Sequence, residues 1–419
     1  MFYRSPEKIK REYGKPFFSK RRGVPMGRVL VLAILLAFII AIPTVAFLQY
    51  DRLQFMVLDQ IGYAPTTTPF ASERAAQAQT LYASGEILRA EQLYRLAAQQ
   101  QPENIDYLYE YGKILIEAER SDEAVPFAEK IIGLAPNDPR GYALKANALM
   151  WNDPTSAIPS AFSGIERSAV PFAPLHGALA VAFTNVGRYQ EALQRGDLAI
   201  RIDPADANAR RSYSYPLIFT GRYTEAIEQL EQAIAINPNI AAPYFELASL
   251  YRRINKPDVA VGIYRRVLEI DPDNPRAFLR ICETYAAVGQ FQIAEGFCDS
   301  ALEIDPQYAS AHRMLGQLRY SRRNYEGAIE EFETCLRLGS EEIECYYLRG
   351  LAHYFLGNCD IAWEILNESL ARTDLEPIQQ SINTGLYNIT VRCAGYQNRG
   401  LPTPIPPTPI PPTPIGGGA

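Results

Sequence analysis

Apolar positions along most of the chain fall at helical spacing, in paired blocks separated by a short polar break. In AAPYFELASLYRRINKPDVAVGIYRRVLEIDPDN, Ala241 to Asn274, the break falls at Asn255-Lys256, and the blocks on either side each predict an amphipathic helix. Such a stretch is a helix hairpin. VLEIDPDNP, beginning at Val267, is followed by ALEIDPQYA at Ala301, with AIRIDPADA and AIAINPNIA upstream at the same interval. Prolines at 102, 136, 204, 238, 272 and 306 are all separated by 34 or 68 residues. Each follows a second helix, ends it and starts the turn into the next unit.

Two small-residue series run in phase with the prolines. One is Ala90, Ala124, Ile158, Ala192, Ala226, Ala260, Ala294, Ala328 and Ala362; the other, twelve residues earlier, is Ala78, Gly112, Ala146, Ala180, Ser214, Ala248, Cys282, Gly316 and Gly350. Small side chains are needed where two antiparallel helices cross closely, because a larger one overpacks the contact. Nine units are implied, from 71 to 374. The third departs most, with Ile158 in the alanine series and Pro154 and Pro159 in the expected second helix. The eighth and ninth lose the closing proline to Ser340 and Asp374.

This 34-residue period, with GRYQEAL (Gly187 to Leu193) and GRYTEAI (Gly221 to Ile227), resembles the tetratricopeptide repeat (TPR) family over residues 71–374. The resemblance implies an all-α fold: a right-handed α-solenoid of about nine helix-turn-helix repeats whose inner face is lined by the first helices. A terminal element is needed to cover the last stacking surface, and EPIQQSINTGLYNITVRCAGY within 375–396 is read as that capping helix.

Charge divides the chain. Residues 1–28 hold nine Lys or Arg against two acids, leaving 32 basic and 45 acidic residues in the rest, a net of −13. Between basic end and acidic body lies VLVLAILLAFIIAIPTVAFL, Val29 to Leu48, without a charge and long enough to cross a bilayer. A signal anchor is expected at 29–48, with 1–28 as a basic cytoplasmic tail and the repeats extracytoplasmic, in a periplasm or at a cell surface. Residues 49–70 are expected to be a linker and 397–419 a Pro/Thr-rich tail. PTPIPPTPIPPTPI, Pro402 to Ile415, favours polyproline II and reaches on the order of 43 Å.

Enzyme signals are scarce. His176, His312 and His353 lie in no metal-ligand spacing, and neither a phosphate loop, a dinucleotide fingerprint nor a GxSxG elbow occurs. No catalytic residue, metal or cofactor is expected. The carboxylates Asp203, Asp271 and Asp305 recur with the period and become Asn237 in one unit, which suits a turn and not a catalytic acid. Cys282, Cys298, Cys335, Cys345, Cys359 and Cys393 all lie in the last third, so disulfides and buried thiols both remain open. Cys282 and Cys298, on the two helices of one unit, are the candidate pair. The sequons at Asn367 and Asn388 fall in predicted helices and carry little weight.

On the stripe that the resemblance places inside the superhelix, arginine alternates with aromatic residues: Arg211 and Tyr215, Phe245 and Arg252, Arg276 and Arg280, Arg313 and Tyr320, then Tyr347 and Tyr354. Arginine can fork onto carboxylates and tyrosine adds rigid contact area, so a protein or peptide ligand is expected there. The Lys and Asn pattern of relatives that grip chaperone tails is absent. Nucleic acid is not expected against an acidic body. The reading is a membrane-anchored, non-enzymatic interaction scaffold; a structural or assembly subunit of a larger membrane or cell-surface complex or filament is the alternative.

Overall fold

The computed structural model describes residues 69–397. The expected basic tail, transmembrane helix and nearly all of the linker lie outside the described residues, as does the Pro/Thr-rich tail beyond Gln397. Among the described residues are nineteen α-helices and no strand, all in the compact unit that begins at Ala71. None of these helices is long and apolar enough to cross a membrane.

The helices pair along the chain: α1 (Ala71–Ala83) with α2 (Ile87–Gln100), α3 (Ile105–Glu117) with α4 (Ser121–Leu134), and α5 (Pro139–Leu149) with α6 (Pro154–Arg167). Next come α7 (Ala173–Asn185) with α8 (Tyr189–Ile202), α9 (Ala207–Phe219) with α10 (Tyr223–Ile236), and α11 (Ala242–Arg253) with α12 (Pro257–Ile270). The last pairs are α13 (Pro275–Ala287) with α14 (Phe291–Ile304), α15 (Ala309–Ser321) with α16 (Tyr325–Arg337), and α17 (Ile343–Phe355) with α18 (Cys359–Leu370). A single helix, α19 (Glu376–Arg392), closes the series on α18 and α17. Each hairpin is packed internally and its second helix packs on the next unit, which makes a solenoid.

Close helix crossings explain the small residues. Ala78, Ala146, Ala180 and Ala248 are fully buried, and a Cβ on Gly112 would come 2.4 Å from Leu144 Cδ2, or on Gly316 2.6 Å from Phe332 Cε1. In the second helices the buried pattern is a residue, the fourth after it and the seventh after it, as in Ala124, Ala128 and Ile131. The third unit corrects the expectation for Ile158. There the buried set is Ala157, Ala161 and Gly164, one residue early, with Ile158 only partly buried. Pro154 opens α6 behind the Asp153 cap, where its missing N–H has no intrahelical partner to lose, and Pro159 forfeits one hydrogen bond.

The turn inside each hairpin needs one left-handed residue. It is Gly85, Glu119, Gly187, Gly221, Asn255, Gly289, Arg323 or Gly357, each at positive φ and spaced by multiples of 34. At 153, the place for the third unit, Asp153 has φ −137° and caps α6 instead. Between hairpins the side chains of Asp203, Asn237 and Asp305 accept hydrogen bonds from the backbone N–H groups of Ala205, Asn239 and Gln307. An amide oxygen does this as well as a carboxylate oxygen, so Asp and Asn interchange.

The structure joins all six cysteines. Cys282–Cys298 ties α13 to α14 within the seventh unit, Cys335–Cys345 ties α16 to α17, and Cys359–Cys393 ties the start of α18 to the residue after α19. The Cα–Cα separations are 5.4, 6.5 and 6.2 Å.

Candidate functional site

The solenoid curls until its first unit meets its fifth and sixth. Asn239 Nδ2 donates to the Ala83 carbonyl at 3.0 Å, and a Cβ on Gly85 would lie 2.5 Å from the Asn239 carbonyl oxygen. Arg211 on α9 reaches Glu117 at the end of α3 at 3.1 Å, and Arg276 on α13 pairs with Glu119. These contacts border a partly open cavity of 1490 Å³ lined mainly by the first helices. Its walls are aromatic and polar together, with Tyr82, Tyr109, Trp151 and Tyr215 among them.

Several stripe residues turn inward here and are already occupied. Arg211 bonds Glu246 at 2.8 Å and Asn208 at 2.9 Å besides Glu117. Burial opposes its charge, yet Glu246 and Glu117 outweigh that and raise its pKa. Tyr215 donates to Asn185 Oδ1 at 3.1 Å and packs edge-on to Trp151 at 4.7 Å. Phe245 lines the same cavity but is only 8% exposed, a largely buried ring that carries the Arg276 guanidinium at 4.6 Å. Tyr354 is likewise 8% exposed.

Beyond the chamber, Arg252, Arg280 and Arg313 come from three successive first helices, α11, α13 and α15, and converge on one carboxylate. Glu283 receives Arg280 at 2.8 Å, Arg252 at 3.1 Å and Arg313 at 4.0 Å. Three cations thus share one anion. Arg313 Nε is buried and makes no hydrogen bond. Burial works against the Arg280 charge, but Glu283 prevails and raises its pKa; burial and then the Arg280 charge hold Arg276 below its ordinary value. The strip therefore keeps positive charge that its own acid does not neutralise. Tyr320, one unit further, belongs to a separate ring cluster with Tyr325 and Phe355, and burial pushes its hydroxyl up to about 12.

His312 faces Glu331 and the Pro306 carbonyl, and His176 is enclosed beside Arg195. Glu283, Glu117, Glu119 and Trp151 were not singled out from the sequence. Only Glu283, three residues after Arg280 on one helix face, carried a local signal.

A family model for the tetratricopeptide repeat matches residues 81–148 and 255–318, and a second TPR model matches 220–255. Those segments coincide with hairpins of the solenoid. These are tetratricopeptide repeats. Among solved structures, the TPR solenoid is similar to the APC/C hetero-tetramer Cut9–Hcn1, at TM-score 0.53 and 17% identity, covering 70% of this chain and 58% of that one. It is also similar to yeast Tom70, at TM-score 0.52 and 12% identity, covering 85% of this chain and 96% of that one. Identities this low make the likeness one of fold. No curated protein matches the sequence. The TPR fold is that of a protein-interaction scaffold.

Proposed function

We propose that this TPR protein is a membrane-anchored, non-enzymatic scaffold that holds an extended acidic segment of a partner protein along the first helices of its sixth to eighth units. The observation that carries the reading is the convergence of Arg252, Arg280 and Arg313 on the single carboxylate of Glu283. A ligand carboxylate arriving there meets planar guanidinium donors that Glu283 only partly satisfies. The uncharged run Val29 to Leu48, with its basic flank, supports the anchor. Three disulfide pairs support an oxidising compartment for the repeats, hence the extracytoplasmic side.

The test uses the full chain in mild detergent and fluorescein-labelled Asp/Glu-rich peptides, followed by anisotropy at two salt concentrations. Arg280→Glu together with Arg313→Glu is expected to weaken binding at least about tenfold, since each lost charge-assisted bond contributes roughly 1.5–3 kcal/mol. Arg201→Glu, on the exposed face of α8, is expected to leave it unchanged. Equal affinity in the double variant would remove the arginine strip as the docking site.

A further inference from the structure

The path of the chain out of the solenoid is pinned. Cys393 is bonded to Cys359, with Cα atoms 6.2 Å apart, and Tyr396 donates its hydroxyl to Asp360, so the final described residues lie against the first turn of α18. Phe355 ends α17 four residues before Cys359, at the same hairpin turn. It is 50% exposed. Its ring stacks on Tyr325 at 4.8 Å and 10°, and Tyr320 stands edge-on to both, at 5.6 Å from Tyr325 and 6.1 Å from Phe355. Three aromatic side chains from α15, α16 and α17 therefore form one platform at this edge. The stacked pair is not part of every hairpin: the positions 34 and 68 residues before Phe355 are Ser321 and Ala287, although Phe219 stacks on Tyr189 at 6.2 Å at the equivalent positions four units earlier.

Aromatic platforms are the surface that polyproline strands take: the strand is already extended, its proline rings are flat and apolar, and little ordering entropy is lost. This chain carries a sequence with that preference. PTPIPPTPIPPTPI, Pro402 to Ile415, has no charged residue and begins six residues after Tyr396. A six-residue leash spans at most about 20 Å, while packed neighbouring helices lie about 8–10 Å apart. That segment is rooted within reach of the platform.

We propose that residues 402–415 fold back on their own solenoid and lie across Tyr320, Tyr325 and Phe355 as an intramolecular polyproline ligand. The occupant is this tail, which covers an aromatic edge that would otherwise face water. The disulfide at Cys359 fixes its starting point and so raises its effective concentration at the platform.

The test compares the full chain with one lacking residues 402–419, both in mild detergent, using a fluorescein-labelled PTPIPPTPIPPTPI peptide and anisotropy. The tail-less chain is expected to bind the peptide saturably and the intact chain at least about tenfold more weakly, since a tethered competitor acts at an effective concentration on the order of millimolar. In the tail-less background Phe355→Gln is expected to lose the binding and Val288→Ala, exposed on another unit, to keep it. A peptide with alanine in place of the residues matching Pro404, Pro409 and Pro414 is expected not to bind, a result independent of how any protein variant folds. Three outcomes overturn the proposal: no binding by the tail-less chain, equal binding by tail-less and intact chains, or full binding by a folded Phe355→Gln variant. Equal binding would mean that the platform stands open to a proline-rich segment of another protein.

Discussion

His176 sits on α7 at 6% exposure, with its Nδ1 3.3 Å from the Arg195 guanidinium. Burial first, and the Arg195 charge second, hold its pKa at about 4, against an ordinary 6.5. The folded state therefore resists a proton that the unfolded chain accepts. Stability from this group is complete above pH 6.5 and is lost as the pH falls toward 4, by at most on the order of 3 kcal/mol. Urea midpoints at pH 7 and pH 4.5 are expected to differ in the natural chain, and the difference should shrink in His176→Gln. An undiminished difference would assign the acid sensitivity elsewhere. At this scale the 34-residue frame assigns Arg252, Arg280 and Arg313 to successive first helices, and the structure has them on α11, α13 and α15. The frame did not disclose that Arg211 and Arg276 are already paired, because Glu117 and Glu119 lie 94 and 157 residues away and no local spacing announces them.

Helices and hairpins were the most legible elements, since apolar spacing, small residues and prolines all repeat with one period. The exception has a physical cause. In the third unit the chain makes its turn without a left-handed residue, which draws α6 forward by one position and puts Ala157 where Ile158 falls in the series. A series counted at fixed intervals cannot register a single-residue slip that the next loop reverses. The pairing of the cysteines was also beyond the period, because two of the three bonds join different units. Cys359–Cys393 closes a loop over 34 residues around α18 and α19. Loop-closure entropy assigns it about 3–4 kcal/mol, so Cys359→Ser with Cys393→Ser should let α19 fray. Hydrogen exchange should show amides of Ile382 to Ile389 losing protection while those of α7 keep theirs. Unchanged protection in α19 would show that packing on α17 and α18 suffices alone.

Taken whole, the TPR solenoid is held closed by a few polar contacts between distant units. Arg276–Glu119 is partly exposed, and an exposed pair contributes about 0–1 kcal/mol. Arg211–Glu117 is more enclosed and leaves Arg211 with Glu246 if Glu117 is removed. Glu117→Lys with Glu119→Lys places like charges at both contacts and is expected to cost roughly 1–3 kcal/mol and open the chamber. Small-angle scattering should then report a larger radius of gyration, and helical content by circular dichroism should stay constant. A radius equal to that of the natural chain would mean that the Asn239–Ala83 contact and the neighbouring packing close the curl without these acids.

The seating of Gly85 against Asn239 also bears on how such a chain can change its length. A linear array gains or loses a unit freely, since each unit answers only to the two beside it. Between the first and sixth units that freedom is gone, because one hairpin more or fewer would carry Ala83 and Gly85 past Asn239. Insertions and deletions of whole units should therefore be tolerated in the later part of the array and rejected in the earlier part, which behaves as a fixed-count ring carrying an extensible arm.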